Sequence, residues 1–369
     1  MAQAVGQAWL ILKLTGSGLD LGLLSAATFG PVLLASAWAG ALLDHLDVRK
    51  TLIATQVLAG SLALILAVLV MTDSVQVWMV FVLAVANGFV FAIDQPARQL
   101  YVVNLVGRDR VASAVGLYEV IINASRVIGP AVGGVMIATA GVAACFLVNA
   151  ASFVPPLLVL LWYRERGLRA ERSPRPRTLS ALREGLHYVR HSPAIAACLA
   201  MAAASGMIFN LGTALPVLAT RTFGLGGMGY GALTACFGIG AIPGGFAAAY
   251  SKGQSLGRKV RLLCLITGVA VLATACAPVV AAAFPLLMLE GFVSIWMIAL
   301  ANTLVQLRPH PSLRGRVMGL WTMALPGLTP ITGVLVGATT QFLGPREGFG
   351  VGGVALVAAS IVGWRALAD

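Results

Sequence analysis

The feature of this sequence that most limits its fold is a series of long apolar stretches, nearly free of charge and separated by short loops. A stretch of about 20 apolar residues can cross a bilayer as a helix. Only helices and closed barrels satisfy the backbone in lipid, and these stretches are continuous rather than alternating. The sequence therefore predicts an all-α, polytopic membrane protein. We place eleven full spans at about 19–43, 51–71, 76–97, 111–138, 141–163, 194–220, 229–250, 260–280, 283–306, 316–340 and 349–367.

Basic residues are concentrated in alternate loops between these spans. The segment 164–190 alone holds eight arginines, whereas the opposite loops hold only Lys13, Arg221 and Arg346. This positive-inside bias places the arginine-rich loops in the cytoplasm, where they meet anionic lipid head groups. The net charge of +12 thus reflects membrane topology. No motif supports binding to nucleic acid.

The chain divides into two similar halves joined by a basic linker. We predict an N-terminal helical bundle at 1–163, a cytoplasmic linker at 164–193 and a C-terminal helical bundle at 194–369. Gly116-Leu117-Tyr118 is echoed by Gly319-Leu320-Trp321, roughly 200 residues later. Parallel repeats of six helices are a transporter plan in which the substrate site lies between the halves, near the bilayer midplane.

The start of the chain departs from this repeat. The second half opens with a full span from about Ala194, which maps to roughly ten residues before Met1 in the first half. Residues 1–14 are apolar but too short to cross a bilayer. We therefore expect a truncated first helix and a natural protein that begins upstream of Met1.

The loop at 40–50 carries the first resemblance to a known family. It reads Gly-Ala-Leu-Leu-Asp-His-Leu-Asp-Val-Arg-Lys, and Gly40, Asp44 and Arg49 match the G-x-L-a-D-r-x-G-r-r/k signature of the major facilitator superfamily. Asp47 replaces the usual glycine of that signature. The resemblance implies a major facilitator fold of two pseudo-symmetric six-helix bundles, in which this motif helps to hold one conformation.

A second signature lies in the predicted span 111–138. Drug:proton antiporters of the superfamily carry G-x8-G-x3-G-P-x-x-G-G there, and this chain departs only at Ser125. Small residues allow helices to approach closely, and proline bends the helix. The resemblance is to exporters, and other stretches are similar to a bacterial subgroup of enterobactin and macrolide exporters. The matching positions are Gly116, Gly129, Pro130, Gly133 and Gly134.

Ionisable residues inside the spans are the candidate functional groups, because each costs roughly 2.5–3.5 kcal/mol near a helix centre. Glu119, Asn123 and Arg126 fall on one stripe of their predicted helix. Arg126 could bind an anionic substrate group or tune Glu119 as a proton carrier. The alternative is an ion pair that stabilises the bundle.

Two further sites stand apart from that stripe. Glu290, in the ninth predicted span, could take a proton or attract a cationic drug, or could have little role. Asp94 and Arg98, four residues apart around Pro96, are expected to form a gating or orientation element beside Asp44.

We predict a multi-pass transporter of the bacterial inner membrane, working as a monomer without a cofactor. It would export small amphipathic molecules, such as drugs, in exchange for protons by alternating access. Two alternatives stay open: a siderophore exporter, and a truncated relic that does not transport. An enzyme is not expected, because the spans lack an H-E-x-x-H, a G-x-S-x-G or paired catalytic aspartates, and no metal-site spacing occurs.

Overall fold

A computed structural model describes residues 2–43, 46–106, 125, 129, 132–137, 139–162, 184, 186–251 and 256–367. Helices account for nearly all of these residues, and no strand occurs among them. The all-α prediction is therefore confirmed.

The helices of the N-terminal part follow the apolar stretches of the sequence. Two of them hold features that the sequence only suggested. The helix Ala2–Thr15 ends before a turn in which Gly16 has a positive φ of 65°. The helix Val48–Met71 has Asp47 as its N-cap, and the Oδ1 of Asp47 accepts a hydrogen bond from the Lys50 N–H at 3.1 Å. Aspartate is a favoured N-cap residue, so the departure from the family glycine at position 47 serves the start of a helix. The elements are α1 (Ala2–Thr15), α2 (Gly18–Leu43), α3 (Val48–Met71), α4 (Val77–Val106), α5 (Val142–Ser152) and α6 (Val154–Trp162).

The C-terminal part contains longer helices and two interruptions. A π-helical segment, Leu218–Thr222, follows the helix Leu211–Val217, and a second one, Met323–Gly327, follows the helix Pro311–Thr322. The helices are α7 (Pro193–Phe209), α8 (Leu211–Val217), α9 (Gly227–Tyr250), α10 (Leu256–Ala275), α11 (Val280–Leu307), α12 (Pro311–Thr322), α13 (Thr329–Phe342) and α14 (Pro345–Val362).

Eight helical stretches in the described part of the chain are long and apolar enough to cross a membrane. They coincide with eight of the eleven predicted spans. Of the other three predicted spans, two are occupied by α10 and α14, and the span at 111–138 lies mostly outside the described residues.

Three predicted spans are not continuous α-helices. The span at 141–163 is interrupted at Phe153, just before Pro155 and Pro156 in the first turn of α6. Proline lacks an N–H and fits the start of a helix better than its interior. The span at 194–220 is broken at Asn210, and the span at 316–340 is broken by its π-helical segment. Because the sequence is apolar throughout these three stretches, its hydropathy did not predict the breaks.

Helix α3 illustrates how the described helices are oriented by polarity. Thr55 and Gln56 are buried, whereas Leu58, Leu64 and Val68 are about half exposed. A helix that buries its polar residues and exposes its leucines is stable only if the exposed face meets lipid. The pattern agrees with a membrane-spanning bundle.

The chain forms two compact units, one comprising residues 1–15 and 27–174 and the other residues 16–26 and 175–369. In the first unit, a small buried cluster joins Leu52 of α3, Ala97 and Tyr101 of α4, and Leu160 of α6.

The second unit depends on very close helix contacts. A Cβ atom added at Gly240 or Gly244 of α9 would overlap a backbone carbonyl oxygen of α11, at Met288 and Phe292 respectively. Glycine at these positions lets the two backbones approach, as is common where helices pack in membranes.

Candidate functional site

Glu290 is a buried carboxyl group of the second unit. It lies on α11, ten residues from the start of that helix, and none of its surface is exposed. Its Oε2 lies 3.5 Å from the Thr274 hydroxyl of α10. Its Oε1 has no hydrogen-bond partner in the described part of the chain. An oxygen without a partner in apolar surroundings is energetically costly, so it marks a candidate functional group.

A cavity of about 10 Å³ lies beside Glu290. Most of its lining is apolar, including Met207, Val271 and Phe349, and the other polar side chain in the lining is Asn210. A space of about 10–15 Å³ is what one water molecule needs. The cavity therefore brings together one carboxyl group, one amide and room for a single small molecule.

Asn210 lies at the break between α7 and α8. Its backbone φ of −79° and ψ of 38° are not helical, and its N–H finds no backbone acceptor in the described residues. The side chain supplies the donor that the Gly206 carbonyl lacks, because Nδ2 donates to it at 2.9 Å. Nδ2 also donates to the Thr332 hydroxyl of α13 at 2.9 Å. One side chain thus supports the broken helix and fastens it to α13.

Prolines explain the neighbouring interruptions. Pro216 lies inside α8, two residues before the first π-helical segment, and Pro326 lies inside the second. Each removes a backbone N–H from the hydrogen-bond ladder, which favours a kink or a π-bulge. Pro330 is then well placed in the first turn of α13.

Asp94 forms the polar centre of the first unit. Its Oδ1 accepts hydrogen bonds from Thr55 and Gln56 of α3, both at 2.8 Å. Its Oδ2 accepts two from Arg98, with Nη2 at 2.6 Å and Nε at 3.2 Å. Every acceptor direction of this carboxylate is therefore used, and Asp94 joins α3 to α4. The ion pair between Asp94 and Arg98 is thus observed, while a gating or orientation role for the two residues stays a prediction.

The loop signature at 40–50 is only partly described. Gly40 lies in α2, and Asp44 is outside the described residues. Arg49 donates to the carbonyl oxygens of Leu160 and Leu161 at 2.7 and 3.0 Å. These carbonyls belong to the last turn of α6, where no helical N–H is available to them. The arginine therefore caps one helix from the start of another.

The stripe on the predicted span 111–138 lies outside the described residues, and this applies to Glu119, Asn123, Arg126, Gly116 and Pro130. Three residues of the exporter signature are described. Gly129 is helical and half-buried, and Gly133 and Gly134 are helical and buried. The Cys145 thiol of α5 lies 3.5 Å from the Gly133 carbonyl oxygen, so this face packs closely against α5.

Thr55, Gln56, Thr274 and Asn210 were not predicted from the sequence, because every candidate within the spans other than Asn123 was an ionisable residue. Uncharged polar side chains in apolar stretches are a usable signal, since each must find a partner inside the bundle. No group of three potential metal-ligating side chains occurs among the described residues.

Apolar helices that expose leucine and bury carboxyl, amide and hydroxyl groups between them define an integral membrane protein, and buried groups of this kind are typical of transporters. Residues 1–367 match a major facilitator family described as transmembrane secretion effectors, and the chain belongs to that family. The predicted superfamily is therefore confirmed.

Curated relatives include exporters. The multidrug efflux pump Tap of Mycolicibacterium fortuitum is 28% identical over 92% of this chain and 85% of its own length. The enterobactin exporter EntS of Citrobacter koseri is 26% identical over 98% of this chain and 83% of its own. The staphyloferrin A transporter of Staphylococcus aureus is 29% identical over 59% of this chain and 55% of its own.

Solved structures support the same fold. A bacterial homologue of the lysosomal transporter Spinster, inward-facing and occupied, has a TM-score of 0.68 at 14% identity and covers 100% of this chain and 93% of its own. The nucleoside transporter NupG has a TM-score of 0.71 at 13% identity, over 99% of this chain and 94% of its own. At such identities the likeness concerns the fold alone.

Proposed function

We propose that the protein exports small amphipathic molecules, such as drugs, from the bacterial cytoplasm in exchange for protons. The observation that carries this proposal is the similarity to the multidrug efflux pump Tap along 92% of the chain. The drug:proton antiporter signature with Gly129, Gly133 and Gly134 supports it. The protein would work as a monomer in the inner membrane, with its basic loops facing the cytoplasm and anionic lipid.

Alternating access would expose the substrate site to one side of the membrane at a time. The site would lie between the bundles 1–163 and 194–369, which the segment 164–193 links. The loop signature at Gly40, Asp44 and Arg49, together with Asp94 and Arg98, would stabilise one of the two states. A ligand or proton shifts such an equilibrium only by binding one state more tightly than the other.

The coupling groups would be buried and able to change charge. Glu290 is a candidate because it is fully buried and one of its oxygens has no partner among the described residues. Glu119, Asn123 and Arg126 remain candidates from the sequence, with Arg126 suited to an anionic part of the cargo. Protonation of either glutamate would change the electrostatic energy of the site and hence the affinity for substrate.

Siderophore export is the second candidate function. The specific observation in its favour is the similarity to the enterobactin exporter along 98% of the chain. An anionic siderophore would favour a direct role for Arg126, whereas a cationic drug would favour an acidic site.

The test is an accumulation screen in a host that lacks its own pumps, with fluorescent drugs and siderophores assayed separately. We expect expression to lower drug accumulation and a protonophore to abolish the effect. Export that survives collapse of the proton gradient would refute proton coupling. Export of siderophores without export of drugs would favour the second candidate. An inactive protein that is folded and inserted would support the alternative of a relic that does not transport.

A further inference from the structure

The cavity beside Glu290 excludes bulky cargo in this conformation. Its volume is about 10 Å³, and its lining residues all belong to the second unit. Glu290 itself has no exposed surface. A single water molecule is the largest ligand that such a space accommodates. A proton, rather than a drug, is therefore the species that the carboxyl group can exchange here.

The Thr274 hydroxyl favours a protonated partner. Its one hydrogen is donated to the Ala270 carbonyl at 2.9 Å, while Glu290 Oε2 lies farther away, at 3.5 Å. A protonated Glu290 can donate to Thr274, which completes a chain from Glu290 through Thr274 to Ala270. An ionised Glu290 would have to compete for that hydrogen, and its Oε1 would still lack a donor.

Asn210 is the other polar side chain in the cavity lining, and both of its amide hydrogens are in use. They go to Gly206 on one side of the helix break and to Thr332 on α13, where the Thr329 carbonyl oxygen also lies 3.4 Å from Nδ2. Thr332 in turn lies in the first turn of α13, just after the second π-helical segment. Asn210 therefore contacts the Glu290 cavity and the two interrupted helices at the same time.

Charged groups on the surrounding helices are not engaged with Glu290 in the described residues. At the start of α14, Arg346 donates to the Ala277 carbonyl at 3.0 Å. At the start of α10, opposite the Thr274 end, Arg261 donates to the Trp364 carbonyl at 2.7 Å. The titratable groups on the helices around Glu290, apart from those of α12, are Cys198, Tyr230, Cys236, Tyr250, Arg258, Lys259, Arg261, Cys264, Arg346 and Glu347.

We propose that Asn210 is a positioning residue that couples the protonation of Glu290 to the helix break between α7 and α8, through one water molecule in the cavity. The inference rests on the proposed function in so far as Glu290 is its proton site. With Glu290 protonated, the Thr274 chain satisfies the acid and leaves the Asn210 amide on Gly206 and Thr332. The hydrogen bonds of Asn210 then hold α8 against α13 at the break.

Loss of the proton changes which groups need a donor. The O–H bond of Glu290 breaks, and the proton passes to the cavity water and on to solvent. The Thr274 hydroxyl, 3.5 Å away, is already engaged with Ala270. The carboxylate then attracts the other donors of the cavity, which are that water and the Asn210 amide in the lining. An amide that turns toward the carboxylate leaves Gly206 and Thr332, so the break at Asn210 loosens and α8 is released from α13.

Hydrogen–deuterium exchange tests this coupling in the purified full-length protein in lipid nanodiscs. Protection of α8 and the following π-helical segment, corrected for the intrinsic effect of pH on exchange, is measured from mildly acid to alkaline pH. We expect protection to fall about tenfold across the titration of Glu290, a change of the size that typical coupling energies produce. The infrared carbonyl band of the protonated acid reports that titration independently. In Glu290→Gln, which resembles the protonated form, that band should be absent and protection should stay high at every pH.

Asn210→Ala separates coupling from protonation. We expect the infrared titration of Glu290 to persist, while the pH step in protection disappears and α8 exchanges rapidly throughout. Thr332→Val, which removes one partner of Asn210 and leaves the cavity lining intact, should lower protection at acid pH and keep a smaller step. Asn302→Ala is the matched control, since Asn302 is an amide on α11 bonded only to Gln306 among the described residues. It should behave like the wild type.

A pH step of unchanged size in Asn210→Ala would overturn the proposal, as would a step that persists in Glu290→Gln. If Asn210→Ala does not fold, the decision rests on Thr332→Val, where a step identical to the wild type in height and baseline would refute the coupling. The proposed function can be refuted separately. A protein that shows the pH step in exchange but no protonophore-sensitive export would support the coupling through Asn210 and refute the antiporter function.

Discussion

The contact between α9 and α11 provides the sharpest test of the packing around Glu290. A Cβ atom at Gly240 would overlap the carbonyl oxygen of Met288, which belongs to the backbone of α11, two residues before Glu290. A backbone atom cannot turn aside as a flexible side chain can, so Gly240→Ala must push the helices apart. Overpacking of this kind costs typically about 1–3 kcal/mol.

Helix propensity works in the opposite direction. Alanine is favoured over glycine by up to about 1 kcal/mol in the interior of a helix. Gly245, on the same helix, has no atom within 4 Å of an added Cβ. Gly245→Ala should therefore be neutral or slightly stabilising. Gly240→Ala should lower the free energy of unfolding by about 1 kcal/mol, the middle of the overpacking range less the gain in helix propensity.

The measurement is unfolding of the purified protein by increasing SDS in mixed micelles, followed by circular dichroism. Gly245→Ala is the control, because it changes the same residue type in the same helix without creating an overlap. Equal unfolding midpoints for Gly240→Ala and the wild type would mean that α9 and α11 are farther apart than the structure places them.

Three further predictions concern charge and topology. Asp94→Ala should lower the free energy of unfolding by roughly 1–3 kcal/mol, because it leaves two buried donors of α3 without their acceptor. Arg98→Ala should lower it less, since the arginine side chain is 37% exposed. If Arg98→Ala unfolded at a lower SDS fraction than Asp94→Ala, the hydrogen-bond network around Asp94 would be contradicted. Arg126→Ala should leave a folded protein that does not transport if Arg126 acts in coupling, whereas a double neutralisation with Glu119→Gln that restores both folding and transport would assign the two residues to an ion pair. A cysteine at Gly226 should react with an impermeant thiol reagent added to whole cells, while one in the linker 164–193 should be protected, and the opposite pattern would invert the proposed topology.

The sequence was sufficient for properties that each segment expresses by itself. Transfer into lipid depends on the composition of a single stretch of about 20 residues, so the apolar runs predicted the helices and nearly all of their positions. Spacing within a single helix placed Asp94 four residues from Arg98, and their ion pair follows directly from helical geometry. The glycine and loop signatures indicated the superfamily for the same reason, because they are read along the chain.

The tertiary structure alone decided which distant residues meet. Thr274 approaches Glu290 across a helical hairpin, and Asn210 bonds to Thr332 from 122 residues away. Hydropathy does not specify how a helix is rotated about its axis when nearly all of its faces are apolar. Rotation is set by the close glycine contacts and by the need of each buried polar group for a partner, and both requirements are fulfilled only when all the helices of a unit pack together.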